Sequence, residues 1–184
     1  SGQLVICTLR VLEFTVKKIG PFTKKMFQLK KGESIGVRGP YGKGFILKGH
    51  NLCFIAGGAG LAPLMPLVEE AARKKKKITV VCGFKNKRQL LFQKRLYRLK
   101  AEFHFVTDDG SYNKKAYASD EFERLLKTGK YDQIYCCGPE LMMKKVLDIS
   151  LKKRIPSQFS TERYMKCGTG ICGSCMLSSY RVCK

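Results

Sequence analysis

Four cysteines near the end of the sequence have the residue type and the spacing of metal ligands. Four residues separate Cys167 from Cys172, two separate Cys172 from Cys175, and seven lie before Cys183. This is the plant-type spacing in which four thiolates hold a 2Fe–2S cluster. A loop this tight needs backbone freedom, which is supplied by Gly168, Gly170 and Gly173. The sequence therefore predicts a cluster held by these four thiolates.

Other uses of these thiolates remain open. Four cysteines also suit a structural zinc ion, although zinc ribbons usually carry two separate Cys-x-x-Cys pairs and this module has one, at 172–175. Disulfides are a further alternative, but they are rare in cytosolic proteins. A second group of cysteines sits in apolar, strand-like runs and is predicted to be buried and unreactive. It comprises Cys7, Cys53, Cys82 and Cys136.

Two glycine-containing segments have the order strand, turn, helix. Residues 54–64 read Phe-Ile-Ala-Gly-Gly-Ala-Gly-Leu-Ala-Pro-Leu, and residues 135–140 read Tyr-Cys-Cys-Gly-Pro-Glu. Such a turn lets a pyrophosphate sit on the N-terminus of the helix. In a parallel sheet both turns would open onto one crevice at the carboxyl ends of the strands. We expect a dinucleotide site there, with a plain structural turn as the alternative for each segment.

The composition indicates a folded protein with a strongly basic surface. The 184 residues are 44% hydrophobic, and 36 Lys and Arg outnumber 14 Asp and Glu, for a net charge of +22. No specific nucleic-acid binding is expected, because the lysines are scattered and the sequence contains no known nucleic-acid module. An acidic partner surface, or a simple bias toward lysine, accounts for the charge instead. The lack of an 18-residue apolar run and of a signal-peptide layout predicts a soluble, cytoplasmic protein without a membrane span.

Changes of pattern along the chain predict three parts. Residues 1–48 contain apolar and β-branched runs at 3–19 and 34–38, which favour short strands, with a break at Gly20 and Pro21. Residues 49–155 alternate strands with helices, which favours a parallel α/β sheet. Residues 156–184 begin with a linker at 156–161 and end in the cysteine module. The predicted strands of the middle part are 52–56, 78–83, 103–107 and 133–136, and its predicted helices are 61–75, 89–99, 120–127 and 140–151.

In this order, the segments resemble the ferredoxin–NADP reductase superfamily, and within it the electron-transfer subunits of class B dihydroorotate dehydrogenases. The matching stretches are 16–23, 38–45, 57–63, 137–140 and 162–167 onward. The resemblance implies a fold of α/β plus β class. A partial antiparallel flavin-binding β-barrel would occupy 1–48, a parallel-sheet nicotinamide-nucleotide-binding domain 49–155, and a small 2Fe–2S module 156–184. The Arg-x-(Tyr/Phe/Ile)-Ser flavin segment of that family does not occur in these residues, so we expect the chain to be part of a longer protein.

The resemblance also implies which residues touch each cofactor. The FAD contacts it implies are Lys17, Lys18, Gly20, Phe22 and Thr23, followed by Gly39, Pro40, Tyr41 and Gly42. The nicotinamide-nucleotide contacts it implies are Gly57, Gly58, Gly60, Ala62 and Pro63, with Gly138 and Pro139 in the second turn. Cys137 and Glu140 would lie near the nicotinamide as the catalytic residues. The metal ligands would be Cys167, Cys172, Cys175 and Cys183.

The function that the resemblance implies is electron transfer by one subunit of a larger complex. Electrons would pass between NAD(P)(H), FAD and the cluster, to or from a catalytic flavoprotein partner, in first place the catalytic subunit of dihydroorotate dehydrogenase in pyrimidine biosynthesis. NAD is expected over NADP, although Lys85, Lys87 and Arg88 could accept a 2′-phosphate. The alternatives are a subunit of a hydrogenase, a sulfide dehydrogenase or a ferredoxin reductase and, in another class, a zinc-stabilised basic binding module. An acidic partner is expected to dock beside the cluster, at Lys166, Arg181 and Lys184.

Overall fold

The computed structural model describes the backbone of residues 6–7 and both the backbone and the side chains of residues 12–184. Its strands are β1 (Ile6–Cys7), β2 (Glu13–Phe14), β3 (Asn51–Gly57), β4 (Lys77–Phe84), β5 (Glu102–Thr107), β6 (Lys114–Lys115), β7 (Gln133–Cys137), β8 (Ser157–Ser160), β9 (Met176–Leu177) and β10 (Tyr180–Arg181). Six of these strands form one parallel sheet in the order β6-β5-β4-β3-β7-β8. The predicted parallel α/β sheet is therefore confirmed.

The described residues contain five α-helices, and the last four of these pack on the two faces of this sheet. The five helices are α1 (Pro21–Met26), α2 (Leu61–Arg73), α3 (Gln93–Leu96), α4 (Ala118–Leu125) and α5 (Glu140–Lys152), with short 3₁₀ turns at Gly58–Gly60 and Lys87–Gln89. Helices α2 and α3 pack with one hydrophobic cluster, and α4 and α5 pack with the other. No helix in the described part of the chain is both long enough and apolar enough to span a membrane.

Strand β3 explains why the middle of the sequence reads as continuous apolar runs. Leu52 and Phe54 belong to the cluster on the α2 side, whereas Cys53 and Ile55 belong to the cluster on the α4 and α5 side. All four side chains are fully buried. Because a parallel sheet is covered on both faces, its strands lose the alternation of apolar and polar residues that an exposed sheet would show.

The predicted buried cysteines behave as core residues where they are described. Cys53, Cys82 and Cys136 are fully buried. Burial raises the pKa of each of these thiols well above its usual value, because the charged form loses its hydration. The predicted burial is thus confirmed for these three, and the raised pKa favours the neutral, unreactive form. The side chain of Cys7 lies outside the described residues.

Residues 156–161 were predicted as a linker, and this prediction is wrong. Ser157–Ser160 form strand β8, which pairs in parallel with β7 in a register that places Ser160 beside Cys137. The pairing satisfies backbone groups that β7 would otherwise leave open at the edge of the sheet. A four-residue, half-buried strand carries too little periodicity to be recognised from the sequence alone.

The predicted helix at 89–99 is broken in the structure. A 3₁₀ turn covers Lys87–Gln89 and α3 begins only at Gln93. Between them Phe92 has a φ of 56°, in the left-handed region, so a continuous right-handed helix cannot pass through it. The leucines that suggested a longer helix still pack against the core, with Leu96 fully buried.

The N-terminal part also differs from the prediction. Residues 34–38 form no strand, so that prediction is wrong, and a helix, α1, forms where only a break was expected. Pro21 occupies the first turn of α1, where its missing N–H costs nothing. Of the strands predicted at 3–19, the described residues contain β1 and β2, which pair as an antiparallel ribbon. Residues 12 and 15–19 are described and form no strand, whereas 3–5 and 8–11 lie outside the description. The flavin-binding barrel stays a prediction.

Tyr135 ties the segment that precedes the sheet to strand β7. Its ring stacks on Phe54 with centroids 5.0 Å apart and is fully buried. Its hydroxyl accepts a hydrogen bond from the Lys48 amide at 2.8 Å and donates one to the Ile46 carbonyl at 3.0 Å. Gln158 of β8 adds two more bonds to the backbone of Ile46. These hydrogen bonds attach the segment that leads into β3 to strands β7 and β8.

Candidate functional site

The order of the strands reverses at β3, and both glycine turns lie at this point. From β3 the chain moves outward to β4, β5 and β6 on one side and then returns to β7 and β8 on the other. Such a switch point leaves a crevice at the carboxyl ends of the two central strands. The turn after β3 leads into α2, and the turn after β7 leads into α5. The strand order thus places both predicted turns at the same edge of the sheet.

The first turn is shaped by glycine. Gly58 has a φ of 54°, a left-handed conformation that glycine adopts without strain, and a Cβ on it would meet no atom within 4 Å. The 3₁₀ turn then passes directly into α2, whose N-terminus has no side-chain cap and no acidic residue in its first turn. The Leu61 amide donates to the carbonyl oxygens of Gly58 and Ala59, so the donors without a side-chain cap that an anionic ligand could use are those of the 3₁₀ turn itself. Ala62 and Pro63 continue this first turn of the helix.

The two turns are packed on each other backbone to backbone. A Cβ on Gly60 would overlap the carbonyl oxygen of Cys137, and would lie 2.8 Å from the Cα of Gly138. A Cβ on Gly138 would in turn lie 2.8 Å from the amide nitrogen of Gly57. The two turns can touch because Gly60 and Gly138 have no side chain beyond a hydrogen atom. The structure brings together the two predicted nucleotide-contact segments, 57–63 and 138–139.

The second turn starts α5 with Pro139 and Glu140. Like α2, this helix has no side-chain N-cap. The Glu140 carboxylate is largely exposed and forms an ion pair with the guanidinium of Arg163, which follows β8. A carboxylate in the first turn of a helix also interacts favourably with the helix dipole. Sequence reasoning singled out Glu140 but missed Arg163, whose position depends on the unpredicted strand β8.

Cys137 sits at the end of β7 with a fully buried side chain. Burial raises the pKa of its thiol to about 12, and the nearby Glu162 carboxylate adds to this rise. The thiol is therefore neutral at physiological pH and is not a nucleophile in this state. Its catalytic role, like that of Glu140, stays a prediction.

The loop after β4 carries the basic residues considered for a 2′-phosphate. Lys85, Lys87 and Arg88 are exposed. The loop is held by the turn after β5, because the Lys87 amide donates a hydrogen bond to the Ser111 hydroxyl at 2.8 Å. That hydroxyl also donates to the Asp109 carboxylate at 2.6 Å, and these bonds lower the pKa of Asp109. A carboxylate thus lies near the basic loop, which the sequence spacing did not reveal.

The cysteine module places backbone donors around its first thiol. The amides of Thr169 and Cys172 point at the Cys167 sulfur from 3.4 Å and 3.5 Å. Together with the Thr169 side chain, these donors lower the pKa of Cys167 to about 5, because they stabilise the thiolate. Gly168 and Gly170 both have positive φ, as the tight loop requires. This donor set suits a thiolate-ligated metal group.

The four thiols of the module differ in their exposure. Cys175 and Cys183 are buried, whereas Cys172 is exposed. Within residues 12–184, no three His, Cys, Asp or Glu side chains are arranged to hold a metal ion. All eight cysteines with described side chains are free thiols. The residues fit a 2Fe–2S group chemically, and metal ligation stays a prediction.

The predicted flavin contacts fall into two groups. The first surrounds the start of α1, where the Thr23 hydroxyl accepts hydrogen bonds from the amides of Ile19 and Gly20 at 3.0 Å. Lys17, Lys18 and Phe22 are exposed there. The second group lies against the cysteine module, because the ring of Tyr41 packs on Gly168. This contact could not be predicted from the sequence, since 127 positions separate Tyr41 from Gly168.

The family comparison covers the stretch that contains both glycine turns. A family model described as "Oxidoreductase NAD-binding domain" matches residues 54–148. A protein of Methanocaldococcus jannaschii named "probable dihydroorotate dehydrogenase B (NAD(+)), electron transfer subunit" is 45% identical over 170 residues, which cover 92% of this chain and 66% of that protein. A protein of Thermococcus kodakarensis with the same name is 39% identical over 169 residues, covering 92% and 70%. This chain thus spans about two thirds of the length of these relatives.

Solved structures support the same relationship. An NADH-dependent reduced ferredoxin-NADP oxidoreductase matches with a TM-score of 0.74 and 25% identity, over 94% of this chain and 69% of that one. The ferredoxin reductase of a carbazole 1,9a-dioxygenase matches with a TM-score of 0.66 over 85% and 54%, and its 22% identity supports the fold alone. Together with the sequence relatives, these similarities confirm the resemblance predicted from the motifs.

Proposed function

Because the chain belongs to the oxidoreductase NAD-binding domain family, we propose that it transfers electrons between a nicotinamide nucleotide, FAD and a 2Fe–2S cluster within a class B dihydroorotate dehydrogenase. The observation that carries the proposal is the contact of Gly60 with Cys137 and Gly138 at the switch point of the sheet. Two helices begin at this contact without side-chain caps, which favours a ligand with a pyrophosphate. The names of the relatives supply the enzyme.

The nucleotide is proposed to lie across the two turns. Its pyrophosphate would face the amides at Gly58 and Gly60, where no side chain blocks the approach. The nicotinamide would then lie toward the second turn, near Cys137 and Glu140. The neutral, buried Cys137 thiol would shape this turn. Of the two predicted catalytic side chains, Glu140 is the one that reaches solvent, and it is paired with Arg163.

The flavin and cluster sites are proposed on the flanking parts of the chain. Residues 1–48 would contribute part of the flavin-binding barrel, 49–155 the nucleotide domain and 156–184 the cluster module. When bound, FAD exchanges electron pairs with the nicotinamide and single electrons with the cluster. The residues of this chain bind these groups, orient them and keep water from them. Amide donors around Cys167 favour the thiolate form that iron requires.

A catalytic flavoprotein subunit is the proposed partner, and it would dock beside the cluster. The exposed cations Lys166, Arg181 and Lys184 surround the cysteine loop and favour an acidic partner surface. The protein is proposed to act in pyrimidine biosynthesis in the cytoplasm. A second candidate is an NADH-linked ferredoxin reductase subunit, which is favoured by the 94% coverage and TM-score of the solved ferredoxin-NADP oxidoreductase.

The test compares the complete protein alone with the same protein plus the catalytic subunit of dihydroorotate dehydrogenase from the same organism. Alone, it should reduce a one-electron dye with NADH but should not oxidise dihydroorotate. Adding the partner should give dihydroorotate-dependent NAD⁺ reduction. Dihydroorotate oxidation by the protein alone, or no dye reduction with either nucleotide, contradicts the proposal. Ferredoxin turnover without any dihydroorotate activity in the complex supports the second candidate.

A further inference from the structure

A short N-terminal segment, Arg38–Gly42, crosses the cysteine module and touches it at several points. The Arg38 guanidinium donates a hydrogen bond of 2.5 Å to the carbonyl oxygen of Lys166, 128 positions away. The same guanidinium lies over the ring of Tyr41, 5.5 Å from its centroid. A cation over an aromatic face is attracted by the ring quadrupole. Arg38 therefore holds both the loop before Cys167 and the ring of Tyr41.

Tyr41 contacts the residue that follows the first cysteine. A Cβ on Gly168 would overlap the edge of the Tyr41 ring, so the ring rests directly on the backbone of the loop. Gly168 also has a φ of 73°, which disfavours any other residue. Tyr41 is half-buried, although the residues on either side of it are exposed. The ring thus closes one side of the loop that carries Cys167.

Gly42 contacts the other chain segment of the module. Its amide donates a hydrogen bond of 3.0 Å to the carbonyl oxygen of Cys183. A Cβ on Gly42 would lie 2.5 Å from the carbonyl oxygen of Val182, so the two backbones are in direct contact. One five-residue segment is therefore bound on one side to the neighbourhood of Cys167 and on the other to that of Cys183.

We propose that Arg38 and Tyr41 are positioning residues that hold the Cys167 loop against the Cys183 segment around the 2Fe–2S cluster. This inference rests on the cluster of the proposed function. The two segments are far apart in sequence, and a tight metal site needs residues that fix its ligands in place. The amides at Thr169 and Cys172 orient the Cys167 sulfur from within the loop. Arg38 and Tyr41 determine the position of that loop relative to Cys183, the fourth ligand.

The test is the behaviour of the cluster in the complete protein purified anaerobically. We expect Tyr41→Ala and Arg38→Ala to release iron to a chelator about ten-fold faster than the wild type, the usual scale for outer-shell changes at metal sites. Both should also broaden the electron paramagnetic resonance signal of the reduced cluster. Tyr41→Phe should behave as the wild type, because the ring and not the hydroxyl makes the contact. Matched controls are Tyr180→Ala, at an exposed tyrosine of the cysteine module, and Lys43→Ala, at the exposed cation that directly follows the Arg38–Gly42 segment.

A fold defect is separated from a positioning effect by two measurements. Thermal unfolding identifies variants that fold, and Tyr41→Leu, which keeps an apolar side chain but removes the ring, replaces Tyr41→Ala if the latter does not fold. FAD content is measured as well, because Tyr41 is also a proposed flavin contact. Iron release and spectra within two-fold of the wild type in Arg38→Ala and Tyr41→Ala overturn the proposal, even if flavin is lost. Wild-type protein that contains zinc and no iron overturns it together with the cluster of the proposed function.

Discussion

Gly60 stands against the backbone of Cys137 so closely that a Cβ would overlap the Cys137 carbonyl oxygen. This contact joins the turn after β3 to the turn after β7. Gly60→Ala should therefore push the turns apart. We expect about 1–3 kcal/mol of destabilisation, the usual cost of overpacking, and a loss of NADH affinity measured by fluorescence titration.

A glycine in open surroundings provides the control for this substitution. A Cβ on Gly36 would meet no atom within 4 Å, and its φ is not in the left-handed region. Gly36→Ala should leave both the unfolding free energy and the NADH affinity at wild-type values. Equal NADH affinity in Gly60→Ala and Gly36→Ala would show that the contact does not shape the nucleotide site.

The Glu121 carboxylate on α4 is buried on the face of the sheet that α4 and α5 cover. The Glu121 side chain is 4% exposed and accepts hydrogen bonds from Arg124 at 2.6 Å and Lys114 at 3.0 Å. His104, which also bonds Glu102 at 2.8 Å, approaches it with Nδ1 at 3.4 Å. The hydrogen bonds and positive charges of Arg124, and then of Lys114, lower the pKa of Glu121 to about 2.

The lowered pKa predicts how stability depends on pH. In the folded state Glu121 stays ionised at pH values below about 4.3, which is the pKa of a glutamate in the unfolded chain. The stability that Glu121 contributes is therefore complete above a pH of about 4.3. It is lost as the pH falls through about 2. Glu121→Gln should cost about 1–2 kcal/mol at pH 7 in denaturant unfolding and much less at pH 2. The exposed Glu123 of the same helix is the control, and an equal cost for Glu123→Gln would refute a special role for Glu121.

The hydroxyl of Tyr135 is expected to hold the chain that enters the sheet. Tyr135→Phe removes its bonds to Ile46 and Lys48 while the stacked ring remains. We expect a cost of about 1–2 kcal/mol, together with faster amide hydrogen exchange confined to the backbone at 45–48. Tyr117→Phe, at a largely exposed tyrosine, should change neither quantity. Unchanged exchange at 45–48 in Tyr135→Phe would mean that Gln158 alone is sufficient.

Nucleotide choice depends on the loop after β4. NADH should give the higher kcat/KM, in line with the relatives, despite the exposed Lys85, Lys87 and Arg88. In that case Lys85→Glu should alter the NADH rate little, since no 2′-phosphate is present to be bound. Steady-state rates with both nucleotides decide the matter. A strong preference for NADPH that disappears in Lys85→Glu would reverse the assignment.

The sequence predicted well those features that depend on local pattern. The strand runs around Phe54 and Tyr135 are continuous and apolar because both faces of the parallel sheet are covered, and each is followed by a turn that begins a helix. Their boundaries differ from the structure by only a residue or two. That both turns lie at one edge of the sheet also followed from the rule that parallel strands end at one edge, whereas their backbone contact was not predicted.

Features that depend on distant partners could not be predicted in this way. Strand β8 exists because β7 offers it an edge, and its four residues carry no recognisable alternation. Arg163 and Tyr41 gain their positions from contacts with Glu140 and Gly168, which are far away in sequence. Phe92 interrupts a helix through a left-handed φ that its residue type does not announce.

The central claim is that this chain carries electrons through a 2Fe–2S cluster held by its four C-terminal cysteines. The most direct measurement is iron and acid-labile sulfide analysis of the complete protein purified anaerobically from its native host, with an absorption spectrum before and after NADH. The expected result is about two irons and two sulfides per chain, with charge-transfer absorption that NADH bleaches and that Cys172→Ser abolishes. Stoichiometric zinc without iron, or a spectrum that Cys172→Ser leaves unchanged, would contradict the claim.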